Sequence, residues 1–130
     1  MNKYILLLTL TINYSLVAIP TYAASSNIIE GEILHGTTSR HFLKAGAGQW
    51  MEVQVSSIRN NAVFDLAIYK NRSGKFLTLK NKAKSWYGKL PSPGWSKNRK
   101  SNVVKITLRS TRGYASYTMM VKIKSYDWKD

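Results

Sequence analysis

Four stretches of this chain alternate apolar and polar residues with a period of two, and that rhythm leaves room for little besides strands. Met51, Val53 and Val55 share one side of a run whose other side is Trp50, Glu52 and Gln54; Phe64, Leu66 and Ile68 repeat the pattern. Val104, Ile106 and Leu108 repeat it again, and so do Tyr117, Met119, Val121 and Ile123. Asn27 to Leu34 reads as a first strand, Arg40 to Lys44 as a second, Lys75 to Leu79 and Ser85 to Leu90 as two more. Between them lie turn signals: Ala45-Gly46-Ala47-Gly48, Asn71-Arg72-Ser73-Gly74, Pro91-Ser92-Pro93-Gly94 and Thr111-Arg112-Gly113. Asn81 to Ser85 reads as a polar connection, and Trp95 to Lys100 as a basic loop. No stretch after residue 24 carries a helical period. Short strands punctuated every ten or so residues define an all-β antiparallel sandwich of about eight strands. Lys122 and Lys124 on the last strand would face water and guard an exposed edge from pairing with another chain.

The first residues follow a different rule. Met1-Asn2-Lys3 is followed by an apolar run from Tyr4 to Ile19 and then by Pro20-Thr21-Tyr22-Ala23-Ala24, the pattern of a secretory signal peptide. Cleavage after Ala23 is expected, leaving residues 24–130 as a single domain. A retained anchor is the alternative; the run is short for a span of about 20 apolar residues and is interrupted by Asn13. There is no cysteine, so neither a lipid-anchored start nor a disulfide framework is open to the chain, and the core alone must hold the fold. A secreted domain of this kind suits a bacterial periplasm.

Charge is the next constraint. Between Asp65 and Asp127 there is no acid, yet fifteen Lys and Arg residues occur there. Loss of the leader removes Lys3 and no acid, which leaves a net charge of +13. Tyr69, Phe76, Trp86, Tyr87, Trp95 and Tyr114 are interleaved with the cations, so the basic surface belongs to a folded domain and not to a disordered tail. Such a face suits an acidic partner.

Chemistry of catalysis is not legible. His35 and His41 lack neighbours at metal-ligand spacing, so no metal site is expected. Glu30, Glu32 and Glu52 could be imagined as a carboxylate pair, but they read as solvent-facing partners for the basic excess. No Gly-x-Ser-x-Gly elbow occurs, and Gly46-Ala47-Gly48 is too short to cradle phosphate. The chain reads as a binding protein, not an enzyme, with no cofactor.

Several segments together resemble a known family. Gly31-Glu32 in the first strand, His41-Phe42 in the second, and Ala45-Gly46-Ala47-Gly48-Gln49 running into Met51 to Val55 are similar to the opening of the periplasmic inhibitors of g-type lysozyme. They are similar also to the broader pre-peptidase C-terminal type of secreted β-sandwich. Phe64 to Tyr69, Leu90-Pro91 and the Val104 to Ile123 hairpin resemble the later parts. The resemblance implies a jelly-roll-like sandwich and inhibition of lysozyme by a protruding loop that enters the active cleft. It places the family's basic closing-hairpin residue at Arg112, while Ser116 stands where a second basic residue is expected. Ser73-Gly74-Lys75-Phe76-Leu77 ends in Leu where the c-type and i-type inhibitors have Tyr.

Charge alone supports the same mechanism, because a lysozyme cleft holds at least one catalytic carboxyl group and an Arg on a rigid hairpin can make a paired contact with it. Arg112 and Arg109 are the first candidates for partner contact, with Tyr114 and Tyr87 as aromatic anchors and Lys97, Arg99 and Lys100 as a second basic loop. Arg109 reads also as an ordinary strand residue, and Tyr87 as a core or rim aromatic. The rival readings are a module that binds an anionic glycan or lipopolysaccharide, and a structural pre-peptidase-type domain whose charge only keeps it soluble. Secretion and the lack of a reading motif argue against nucleic acid.

Overall fold

The computed structural model describes residues 15–18, 25–46, 48–69, 75–91 and 101–129, all of it strand, turn or irregular chain. The strands are β1 (Ser15–Ala18), β2 (Ser25–Ile33), β3 (Thr38–Gly46), β4 (Trp50–Ser57), β5 (Ala62–Tyr69), β6 (Phe76–Ala83), β7 (Ser85–Lys89), β8 (Ser101–Ser110) and β9 (Ala115–Lys124). They form one sheet in the order β1-β3-β8-β5-β6 and another in the order β2-β9-β4-β7. Apart from β1, which runs parallel to β3, every pairing is antiparallel. Leaving β1 aside, this is the eight-strand order of a jelly roll, in which every connection from β2 onward crosses between the sheets except β5–β6.

The period-two stretches do what their spacing dictates. Met51, Val53, Phe64, Leu66, Val104, Ile106, Leu108, Met119 and Ile123 are buried between the sheets, and Tyr117 and Leu90 join them. With no disulfide, burial of this apolar layer at about 25 cal/mol per Å² is the main stabilising term. On the inner face Tyr117 lies opposite Gly31. A Cβ at residue 31 would sit 2.6 Å from the Tyr117 hydroxyl, so only glycine admits the ring. His41, also buried, places Nε2 3.1 Å from that hydroxyl and 3.3 Å from Ser39 Oγ. Desolvation holds the imidazole pKa down at about 4, so it is neutral near pH 7.

Four expectations need correcting. The last strand is no edge: β9 lies between β2 and β4. Lys122 and Lys124 are half-buried, each with its ammonium group over the Trp128 ring. Residues 81–83 are not a connection but the end of β6, whose pairing with β5 shifts register around Leu66. Asp65 holds that irregularity, its carboxylate accepting from the Lys82 backbone N–H at 2.8 Å. Glu52 does not face solvent. It is buried under the C-terminal segment, 2.9 Å from Lys129 Nζ, and that hydrogen bond keeps its carboxyl below the ordinary range despite desolvation. The glycine-rich reversal also starts later than its composition suggests, because Ala45 and Gly46 still belong to β3 and Gly48, at φ 78°, makes the turn.

Candidate functional site

Register decides which connections share an end of the sandwich. Ile33 pairs with Ala115, Thr38 with Arg109, Ser57 with Tyr117 and Ala62 with Ser110. The β2–β3 loop (34–37), the β4–β5 loop (58–61) and the β8–β9 turn (111–114) therefore stand together at one end. The β6–β7 bend at Lys84 joins them, its ammonium group donating to Asn60 O at 3.1 Å and its carbonyl accepting from Val55 N–H at 2.8 Å.

Asn61 builds this end. Its side chain is buried, and its amide nitrogen donates to Arg112 O and Tyr114 O at 2.9 Å each. Thr111 N–H returns a bond to Asn61 O at 2.8 Å. Within the turn, Ser110 Oγ donates to the carbonyls of Arg112 and Gly113, and Gly113 adopts φ 59° to close it. Asn60, at φ 54°, makes the corresponding reversal in β4–β5, a conformation asparagine tolerates better than most residues. Two loops far apart in sequence are thus fixed to one another by the hydrogen bonds of one side-chain amide nitrogen and one backbone pair.

The side chains displayed there are basic and apolar. Arg112 is exposed and donates from its guanidinium to Arg59 O at 2.9 Å, a backbone contact that orients the group without cancelling its charge. Ile58 is 92% exposed and Leu34 63%. Tyr114 is exposed, and its hydroxyl bonds to Glu32, which lifts the phenol pKa. Loops 34–37, 58–61 and 111–114 contain no acid.

The other candidates are placed elsewhere. Arg109 lies at the same end but on the outer face of its sheet, 3.0 Å from Asp65 in a half-exposed ion pair, so its charge is partly answered within the chain. Tyr87 is half-buried near the opposite end. It stacks on Trp50 with ring centroids 5.4 Å apart, meets Trp128 edge-on at 5.0 Å, and bonds through its hydroxyl to Asp127. Lys129 Nζ sits 4.4 Å from the centre of the same ring. Tyr87 is the rim aromatic that fastens the C-terminal segment. Lys97, Arg99 and Lys100 lie outside the described residues. The strands that flank them reach the end remote from Arg112, since Lys89 pairs with Trp50 and Ser101 with Gly46.

Arg59, Ile58 and Asn61 were not singled out from the sequence. A lone large apolar residue in Ser56-Ser57-Ile58-Arg59-Asn60-Asn61 is the signal that marks them, since nothing local explains an isoleucine in a polar reversal. Among the described residues, no His, Asp and Glu converge as a metal-ligating cluster.

No family model matches the chain, and no curated protein does. Solved structures do. PliG of Aeromonas hydrophila, a periplasmic inhibitor of g-type lysozyme, superimposes with a TM-score of 0.59 at 19% identity, over 86% of this chain and 98% of that one. The pre-peptidase C-terminal domain of a Bacillus anthracis collagenase does so with a TM-score of 0.54 at 10% identity, over 83% and 93%. The chain has the sandwich fold that these two proteins share, as the resemblance in its strands implied.

Proposed function

We propose that this protein is a secreted, periplasmic inhibitor of lysozyme, of the g-type, that blocks the active cleft with the end of the sandwich built by loops 34–37, 58–61 and 111–114. The observation that carries the reading is the exposed Arg112 guanidinium on a turn locked by Asn61, in a group of loops with no acid of its own that also presents Ile58, Leu34 and Tyr114, the last bonded to Glu32 of β2. A lysozyme cleft is a groove with at least one carboxyl group at its floor. A preformed loop pair loses little entropy on entering it, and a guanidinium deprived of water beside a carboxylate makes a strong charge-assisted contact. The apolar side chains around Arg112 would supply the water exclusion. The fold shared with an A. hydrophila protein that inhibits g-type lysozyme agrees with this reading. On it the chain is no enzyme and needs no cofactor.

The test is inhibition of g-, c- and i-type lysozymes by the purified protein at two salt concentrations. Tight inhibition of the g-type alone, holding at high salt, supports the proposal. Inhibition of none, or weak inhibition of all that vanishes with salt, overturns it.

A further inference from the structure

The outer face of the five-stranded sheet carries a pattern that the loop end does not use. Thr38 pairs with Arg109, Arg40 with Thr107, Phe42 with Lys105 and Lys44 with Val103. On this face, therefore, the cations Arg109, Arg40, Lys105 and Lys44 occupy alternate squares of the β3–β8 seam. Two residues along a strand and one strand across separate successive Cα atoms by about 8 Å, so the four form a zigzag over roughly 20 Å.

Among the described residues, the only acid on this part of the sheet, Asp65, is already bonded to Arg109 and to the Lys82 backbone. Arg40 and Lys44 are exposed and have no ion pair among the described residues. Lys105 is half-buried with Nζ 4.3 Å above the Phe76 ring, which holds its charge at a fixed height. Beyond Arg109 the seam opens into a groove of 310 Å³ lined by Val63, Lys82, Arg109, Ser110 and Thr111.

We infer that this seam binds a linear acidic polysaccharide, one bearing a carboxylate, sulfate or phosphate on successive repeats, independently of the loop end. Evenly stepped, largely unanswered cations match a chain with evenly stepped anions. A lipid surface fits less well, because none of the large exposed apolar side chains, such as Ile58, Leu34 or Ile28, stands on the seam to insert. Single-stranded nucleic acid fits less well, because it stacks successive bases on aromatic faces and the β3–β8 seam carries one aromatic, the half-buried Phe42. Here Phe76 is capped by Lys105 and meets Tyr69 edge-on.

The experiment compares the wild-type protein with Arg40→Ser/Lys44→Ser, and with Lys89→Ser/Lys124→Ser, which removes the same charge from either side of Trp50 on the other sheet. Affinity is measured for heparin as the acidic polysaccharide, for a single-stranded oligonucleotide, and for phosphatidylglycerol vesicles, at about 0.15 M salt where exposed charges more than about 8 Å apart are screened. Heparin is expected to bind the wild type more tightly than the other two probes. The seam variant should lose about tenfold or more, with a shallower salt dependence, and the control variant less than about threefold. Equal losses in both variants would reduce the effect to net charge and overturn the inference. So would tighter binding of oligonucleotide or vesicles, or no retention of heparin.

Discussion

The side-chain amide of Asn61 donates to the backbone carbonyl of Arg112 at 2.9 Å, and to that of Tyr114 at the same distance. A residue at the end of one loop thereby fixes the carrier of the exposed guanidinium in another.

Asn61→Ala should cost about 2 kcal/mol of stability, since two net hydrogen bonds of about 1 kcal/mol each are lost. It should also weaken lysozyme inhibition although Arg112 is intact. Urea denaturation and inhibition assays check the two effects separately. Loss of stability with full inhibition would show that the turn needs no fixing.

Arg112→Ala and Arg109→Ala should behave in opposite ways. Arg112 is exposed, so its removal should shift stability by less than about 0.5 kcal/mol. It should nevertheless weaken inhibition by about 2–5 kcal/mol, the cost of stranding a buried carboxylate in the partner. Arg109 answers Asp65 in a half-exposed pair, so its removal should cost up to about 1 kcal/mol of stability and leave inhibition nearly intact. Parallel titrations of both variants distinguish them.

Much of this fold was legible in the sequence because its strands bury one face, and period two is all that burial requires. Met51, Phe64, Ile106 and Met119 could be assigned to the core from spacing alone. What could not be read depends on pairing across long separations. That Lys122 and Lys124 belong to a central strand follows from β9 lying between β2 and β4, and the strand's own residues do not encode its neighbours. Glu52 is buried by a lysine 77 positions away, and Arg109 is answered by an aspartate 44 positions away. The candidate site was legible in part for the same reason. Arg112 and Tyr114 were named from a turn signal, whereas their attachment to 58–61 arises only when the sheets close.

His41 should make stability depend on pH below neutrality. Its folded pKa, about 4, lies below the reference value of 6.5, so between these values the unfolded chain binds a proton that the folded chain refuses. Stability should therefore fall as pH drops from about 6.5 to about 4, by up to about 3 kcal/mol at 1.36 kcal/mol per unit, and then level off as far as this group is concerned. Denaturation of wild type and His41→Gln across that window checks it, with the variant giving the flatter profile.

Gly31→Ala should destabilise by about 1–3 kcal/mol, because the added methyl forces the Tyr117 ring from its place. Gly31→Ala combined with Tyr117→Phe should recover part of the loss, since removing the hydroxyl frees the nearest contact. Thermal unfolding of the three variants measures the coupling.

The central claim is that one end of the sandwich enters the lysozyme cleft. Amide hydrogen exchange of the protein, free and mixed with g-type lysozyme, tests it most directly. Slowed exchange confined to 34–37, 58–61 and 111–114 is the predicted result. Slowed exchange confined to 125–129 and the face around Tyr87, or no change at all with enzyme in excess, would contradict it.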